Sequence, residues 1–268
     1  MKSAIVGLTL LAGFLAVSSM CVQEARAQDT RAQDSRAQDD TPPAPPSCEV
    51  PAYLLSSDST LSHVADAIKS NSPLNVLVVG SRSSPIISSE ASAYPAKLQA
   101  TLKEKLPTVP VTLSVELQSG KTAEDVAGNL VKMVEAKRPT LVIWQTGTVD
   151  AMRSVDPDDF RGAVDDGVAA LQQAGVDVVL VNLQYSPRTE TMISGSPYLD
   201  SMRVVAQQHD VPLFDRFAIM RHWNDAGDFD LFSSTHGPEL AKRVHGCLGR
   251  ALTKFVIDAA HLGPEQQN

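Results

Sequence analysis

The chain has 268 residues, of which 43% are hydrophobic and 20% are charged. This is enough apolar material for one sizeable core, so a single folded domain is expected. The formal net charge of −8 argues against a general nucleic-acid binder or a protein that coats anionic membranes, because both need a basic surface.

The N-terminus has the three parts of a secretory signal peptide. Lys2 supplies a positive charge, residues 4–17 form an apolar stretch, and the ARA sequence at 25–27 is a typical cleavage site before Gln28. The apolar stretch is short for a transmembrane helix. We therefore predict that residues 1–27 are removed and that the protein is secreted or periplasmic. An uncleaved anchor, or lipid attachment at the one cysteine of this segment, is the alternative.

Residues 28–47 have the composition of a disordered spacer. A five-residue repeat of Arg, Ala, Gln and Asp runs through 26–40, and TPPAPPS follows at 41–47. These segments offer few apolar side chains to bury, and their prolines disfavour helix and sheet alike. The folded domain is therefore predicted to span 48–268.

Two cysteines remain after the predicted cleavage, Cys48 and Cys247. Cysteines in an oxidising compartment tend to pair, so we predict a disulfide that joins the start of the folded region to its last helix. Two unpaired buried thiols are the alternative.

Strand and helix patterns alternate along the rest of the chain. Apolar segments rich in Val, Leu and Ile predict five β-strands, at 74–80, 109–117, 140–147, 176–185 and 211–217. Helical segments are predicted at about 94–106, 122–137, 157–174, 197–209 and 237–262. This alternation predicts a parallel sheet in a three-layer α/β/α sandwich. Ligands of such sheets bind at the carboxyl ends of the strands.

Glycine and polar residues lie at those strand ends. They occur at 80–84, 119–121, 147–150 and 185–188, and again at 233–237 before the last helix. Their order, together with SAYPAKLQATL after the first group and LVIWQTGTVDAMR around the third, resembles the four motif blocks of the SGNH/GDSL hydrolase superfamily. The resemblance covers about 74–250. It implies a flavodoxin-like five-stranded parallel sheet and ester hydrolysis as the family reaction.

Five residues match positions of those blocks: Gly80, Gly120, Gly147, Asp150 and His236. The resemblance implies that the three glycines and Asp150 line the oxyanion crevice and that His236 is the catalytic base. Considered by its sequence position alone, Asp150 has an alternative role as a cap for the segment after the third strand.

At three positions to which the superfamily assigns a chemical role, this sequence has a different residue. Arg82 stands at the nucleophile's position, after Ser81 in place of an aspartate; Val149 replaces the oxyanion asparagine, and Ser233 replaces the acid. A guanidinium is not a nucleophile, and loss of one oxyanion donor alone slows catalysis about 100- to 1000-fold. We therefore expect a weak or inactive homologue that binds a ligand.

The alternative is an active ester hydrolase, such as a deacetylase of envelope polysaccharide. Ser83 or Ser84 then serves as the nucleophile, His236 as the base, and Asp228 or Asp230 orients the imidazole. The non-catalytic alternative for these serines is that their hydroxyls form hydrogen bonds with backbone groups of the loop.

Arg82, Tyr185 and Arg188 are the predicted ligand-binding residues. They follow strands and combine cationic groups with a hydroxyl, which suits a small anionic or carbohydrate ligand. An ion pair of Arg82 with Glu90 or Asp150 is the alternative.

The sequence contains no motif that identifies a protein partner. One further hypothesis is that the spacer tethers the domain to another protein. No Cys/His spacing typical of a metal site and no glycine-rich phosphate loop is present, so we expect no metal and no cofactor.

Overall fold

Five strands form one parallel sheet in a computed structural model that describes residues 48–80, 90–232 and 237–261. The strands are β1 (Leu74–Gly80), β2 (Val111–Leu117), β3 (Leu141–Gln145), β4 (Asp177–Val181) and β5 (Leu213–Phe214). Their order is β2-β1-β3-β4-β5. This is the flavodoxin-like order, so the predicted α/β/α fold with five parallel strands is confirmed.

Helices cover both faces of this sheet. They are α1 (Ala52–Leu55), α2 (Ser62–Ser70), α3 (Tyr94–Lys105), α4 (Ala123–Lys137), α5 (Thr148–Arg153), α6 (Pro157–Gln173), α7 (Pro187–Met192), α8 (Ser196–Gln208), α9 (Arg216–Asp225) and α10 (Gly237–His261), with a short 3₁₀ turn at Glu90–Ser92. One core packs α2, α3, α9 and α10 against the sheet. A second core packs α4, α6 and α8 against the opposite face.

The central strands are buried on both faces. In β1, Val76 and Val78 belong to the first core, whereas Leu77 and Val79 belong to the second. All five residues of β3 and of β4 are buried as well. Successive side chains of a strand point to opposite faces, so a strand with two covered faces needs an unbroken apolar run. This explains the runs from which the strands were predicted.

The last predicted strand is the least accurate. A strand was expected over 211–217, but β5 has only two residues and α9 begins at Arg216. The Asp215 carboxylate accepts hydrogen bonds from the Ala218 N–H at 2.9 Å and from the Asn182 side-chain amide at 2.7 Å. An aspartate at this position caps a helix N-terminus and so ends the strand.

The predicted disulfide is present between Cys48 and Cys247, whose Cα atoms are 5.3 Å apart. The bridge joins the segment before α1 to α10, across 199 positions of sequence. In the chain-entropy model a loop of this length stabilises the folded state by about 5 kcal/mol. Next to it, the Trp223 indole N–H donates to the Glu49 carbonyl at 2.8 Å.

The described residues all fall within one compact unit that spans 45–268. Among them, none of the helices combines the length and hydropathy needed to cross a bilayer. The predicted signal peptide at 1–27 and spacer at 28–47 lie outside the described residues and stay predictions.

Two glycines of α6 provide a matched test of the second core. A β-carbon added at Gly167 would overlap the indole ring of the fully buried Trp144, whereas one added at Gly162 meets no atom within 4 Å. We expect Gly167→Ala to lower the free energy of unfolding by about 1–3 kcal/mol through overpacking. Gly162→Ala should raise it by about 0.5–1 kcal/mol, because alanine is the better helix former. Urea unfolding of both variants measures the difference, and equal stabilisation by the two changes would contradict this packing.

Candidate functional site

The strand order reverses between β1 and β3, and a shallow depression lies at their carboxyl ends. The last residues of β1 and β3 and the loops after β2 and β3 line it, contributing Gly80, Gln118, Lys121, Gln145 and residues 146–150. A reversal of strand order leaves an open crevice there, since the connections on its two sides run to opposite faces of the sheet. The predicted location of the site is therefore the one at which the fold leaves a depression.

Gly147 sets the course of the chain in this depression. Its φ of +92° lies in the left-handed region, and a β-carbon there would overlap the side chain of Leu183. Both the dihedral angle and the close approach require glycine. The helix α5 starts directly after it, and Val149, in the first turn of that helix, lines the depression with an aliphatic side chain. Val149, which the sequence resemblance aligns with an asparagine of the superfamily, offers no side-chain donor to the depression.

Asp150 is 1% exposed and acts as a cap for a neighbouring helix. Its Oδ1 atom accepts a 2.8 Å hydrogen bond from the backbone N–H of Ala123, the first residue of α4. Within the described part of the chain, its Oδ2 atom is buried and has no hydrogen-bond partner. Burial raises the pKa of this carboxyl group above its ordinary value. The residue thus caps α4, the helix after β2, and not the segment after β3 that the sequence alternative named. It lines the depression and joins α5 to α4.

Gly120, the third predicted glycine, lies in the turn that precedes α4. Its φ of +71° explains the choice of residue. Gly80, the last residue of β1, accepts a 2.7 Å hydrogen bond at its carbonyl oxygen from the Gln118 N–H. The end of β1 and the start of the loop after β2 are thereby held side by side at the edge of the depression.

A buried polar cluster lies beside the depression. The Tyr94 hydroxyl donates to Gln145 Oε1 at 3.0 Å, and the Tyr94 backbone N–H donates to His245 Nδ1 at 3.0 Å. These bonds connect the start of α3, the end of β3 and the middle of α10. Because Nδ1 accepts a bond from an amide, the proton of the neutral imidazole is on Nε2.

Arg216 and His245 are neighbours, but at pH 7 the first is charged and the second is neutral. Arg216 is 2% exposed, and burial lowers its pKa to about 10, which leaves the guanidinium charged at neutral pH. Burial, with a contribution from the charge of Arg216, lowers the pKa of His245 to about 4. The imidazole is therefore neutral at pH 7.

A cavity of about 210 Å³ opens next to this pair, between the loop after β4, α9 and α10. Tyr185, Arg216 and His245 lie on its wall, and Gln184 and Ser186 flank Tyr185. Of the predicted ligand-binding residues, the structure brings Tyr185 to this cavity. Arg188 is exposed in α7 and does not line it.

Several predicted site residues lie outside the described residues. They are Ser81, Arg82, Ser83, Ser84, Ser233 and His236. Their roles stay predictions from the sequence. In the described ranges, no group of three or more His, Cys, Asp or Glu side chains is arranged to hold a metal ion.

The sequence prediction missed Arg216, His245, Gln145 and Tyr94. A signal was present for two of them. His245 lies on the apolar stripe of α10 with Val244, Leu248 and Leu252, which indicates burial. Arg216 comes two residues after the end of β5, at the edge of the sheet where ligand groups are expected.

The comparisons with known proteins agree with this geometry. A family model of the Non-GDSL lipase-like family matches residues 47–262. The chain belongs to that family. No curated protein matches the sequence at a significant level.

Several solved structures share the fold of this Non-GDSL lipase-like chain. TesA is 20% identical with a TM-score of 0.51, over 68% of this chain and 99% of that chain. A two-domain esterase (CEX) active on acetylated mannans is 16% identical with a TM-score of 0.63, over 79% of this chain but 57% of that chain. A protein described as lipolytic and of the G-D-S-L family, from Desulfitobacterium hafniense DCB-2, is 18% identical with a TM-score of 0.50, over 66% and 98%. At these identities the likeness shows the fold.

The partly buried His245 should make stability depend on pH. Between about pH 6.5 and pH 4 the unfolded chain binds a proton at this residue and the folded chain does not, so stability falls as the pH drops through that window. The conservative variant His245→Gln keeps an acceptor for the Tyr94 N–H and cannot titrate. We expect it to lose roughly 2–3 kcal/mol less than the wild type between pH 7 and about pH 4.5.

Urea unfolding at the two pH values measures this difference. The raised pKa values of Asp150 and Asp177, both caused mainly by burial, act equally in the two proteins and cancel. Identical pH dependence of the two proteins would contradict the lowered pKa of His245.

Proposed function

We propose that this Non-GDSL lipase-like protein is an exported, weak or inactive relative of the SGNH esterases that binds a small anionic or carbohydrate ligand at the carboxyl edge of its sheet. The observation that carries the proposal is Val149. It lines the depression at the β1–β3 reversal and offers only an aliphatic side chain where the superfamily has an amide donor.

Loss of that donor weakens the site for ester hydrolysis. A developing oxyanion needs hydrogen-bond donors aimed at it, and removal of one costs about 3–4 kcal/mol of transition-state stabilisation. By sequence position Arg82 replaces the nucleophile, and a guanidinium does not attack an ester. Both changes affect the same step, because the oxyanion develops as the nucleophile attacks the carbonyl, and neither compensates for the other.

The described surface near the depression favours an anion or a polar ligand. Lys121 lines the depression, and Arg216 lies on the wall of the neighbouring cavity with the hydroxyl-bearing Tyr185. Asp150, an acidic residue that also lines the depression, is buried, and this burial raises its pKa. Cationic and hydroxyl donors together suit carboxylates and sugars.

The second candidate is an active ester hydrolase that uses Ser83 or Ser84 with His236. Family membership supports it, because ester hydrolysis is the reaction of the superfamily. The fold shared with an esterase active on acetylated mannans suggests acetylated polysaccharide as the substrate to test.

An activity probe separates the two candidates. We expect a fluorophosphonate to leave the wild-type protein unlabelled, because no activated serine is present, while a serine esterase in the same tube is labelled. Acetate release from acetylated mannan should be no faster than with His236→Ala. The readouts are gel fluorescence and an acetate assay.

Labelling that is lost in Ser83→Ala or in Ser84→Ala, but kept in the other variant, would establish the hydrolase and name its nucleophile. The same preparations should show a ligand-induced rise in melting temperature with carboxylates or envelope sugars. A uniform lack of any rise would overturn the binding proposal.

Export has a separate test. We expect the protein expressed in a bacterium with an outer membrane to be recovered from the periplasm with Gln28 as its first residue, because the ARA sequence at 25–27 provides the small residues that signal peptidase needs. N-terminal sequencing or intact mass measures this. Recovery in the membrane fraction with Met1 or a lipid-modified Cys21 at the N-terminus would support one of the two anchored alternatives instead.

A further inference from the structure

Another cavity, of about 230 Å³, lies at the carboxyl edge of the sheet, between the loop after β4, α7, the start of α8 and the start of α9. We propose that this cavity, called the α7–α8 cavity below, binds one neutral pyranose ring of a carbohydrate. The inference rests on the proposed function, since it chooses between the two ligand classes named there and says where the sugar binds.

The wall of the α7–α8 cavity carries polar side chains that are available to a ligand. Gln184, Ser194 and Ser196 line it. Within the ranges that the structure describes, none of these three side chains takes part in a hydrogen bond. Thr189 also lines the cavity, but its hydroxyl donates to the Ser186 carbonyl at 2.8 Å and so serves the start of α7.

The available groups both donate and accept hydrogen bonds. The side-chain amide of Gln184 has two donor hydrogens and one acceptor oxygen, and the hydroxyl of each serine donates and accepts. Sugar hydroxyls have the same double capacity, so a pyranose can match both kinds of group. A carboxylate ligand only accepts, and it would leave the acceptors of this wall without partners.

The charge of the wall disfavours an anion. Glu190 lines the α7–α8 cavity, and none of the nine described lining residues is a lysine or an arginine. The Glu190 Oε1 atom lies 3.8 Å from Nη1 of Arg221, a half-exposed pair that brings no net positive charge to the wall. A second anion here would be repelled by the carboxylate. A sugar hydroxyl would instead donate to it in a charge-assisted hydrogen bond.

The remaining wall and the volume suit a six-membered ring. Leu183, Ile193 and Phe217 line the α7–α8 cavity, and Phe217 packs edge-on against Tyr185 with ring centroids 5.2 Å apart. A pyranose has C–H groups between its hydroxyls, and these bury apolar surface against such side chains. The volume of about 230 Å³ exceeds the roughly 150 Å³ of an engineered cavity that holds benzene, which leaves space for the hydroxyls of one ring.

The α7–α8 cavity is a neighbour of the depression at the β1–β3 reversal. The two share none of their described lining residues. Leu183 lies between them: a β-carbon added at Gly147 would overlap its Cδ1 atom, and one added at Gly195 would lie 3.5 Å from its Cδ2 atom. Binding in the cavity therefore does not require the residues at which the superfamily's chemistry is altered.

Isothermal titration of the full chain with the methyl pyranosides of glucose, mannose and galactose tests the proposal. At least one of them should bind. The uronic acid of that sugar should bind about fivefold more weakly than its uncharged uronamide, because only the acid is repelled by Glu190. Glu190→Gln should remove or reverse this difference. The control Glu135→Gln changes an exposed glutamate of α4 that does not line the cavity, and it should keep the difference.

Two further variants test the place of binding. Gln184→Leu keeps the size of the side chain and removes its hydrogen bonds, so we expect affinity for the sugar to fall about fivefold. Ser194 is exposed, so Ser194→Phe should fill the α7–α8 cavity without disturbing the core, and affinity should fall at least about tenfold. Far-UV circular dichroism like that of the wild type confirms the folding of both. Sugar binding that Ser194→Phe leaves unchanged, or a uronic acid that binds as tightly as its uronamide, would overturn the inference.

The outcomes also separate this inference from the proposed function. Binding of a carboxylate, or of a sugar that neither Gln184→Leu nor Ser194→Phe weakens, would leave the proposed function standing and remove the α7–α8 cavity as its site. Binding of none of the sugars or anions would overturn both.

Discussion

The sheet of this protein is covered by helices on both faces, and that constraint decides where its chemistry can lie. The side chains of β1, β3 and β4 enter two separate apolar cores. A polar group on either face would be taken out of water without a partner, at a cost of about 1–3 kcal/mol. Polar residues are therefore concentrated at the strand ends. The reversal of order between β1 and β3 leaves room for a ligand at the carboxyl edge.

Hydrogen bonds at that edge hold the loops and helices in register. Tyr94 connects β3 to α10, and Asp150 connects α5 to α4. Asn182, at the end of β4, donates to Asp215 and accepts from the Phe217 N–H, which positions the start of α9. These bonds satisfy polar groups inside a low-dielectric region, where each is stronger than in water. The same environment keeps His245 neutral beside the charged Arg216.

Two residues of the depression have roles in the fold itself. Gly147 is needed by the backbone, because both its positive φ and its contact with Leu183 exclude a side chain. Asp150 accepts a hydrogen bond from the first residue of α4 and so fixes that helix to α5. Val149 lies between them and lines the depression. The roles of Gly147 and Asp150 therefore do not depend on catalysis.

The sequence by itself determined the central strands, the layers and the family. A strand that is buried on two faces has an unbroken apolar run, which can be recognised without knowing its distant contacts. It also placed the disulfide, since only two cysteines follow the predicted cleavage site. The length of β5 was decided by Asp215, whose capping bonds exist only in the folded chain. The polar cluster was decided by tertiary structure alone, since Tyr94 and His245 are 151 positions apart. Their protonation and contacts follow from burial and neighbouring charge, which arise only when the helices pack.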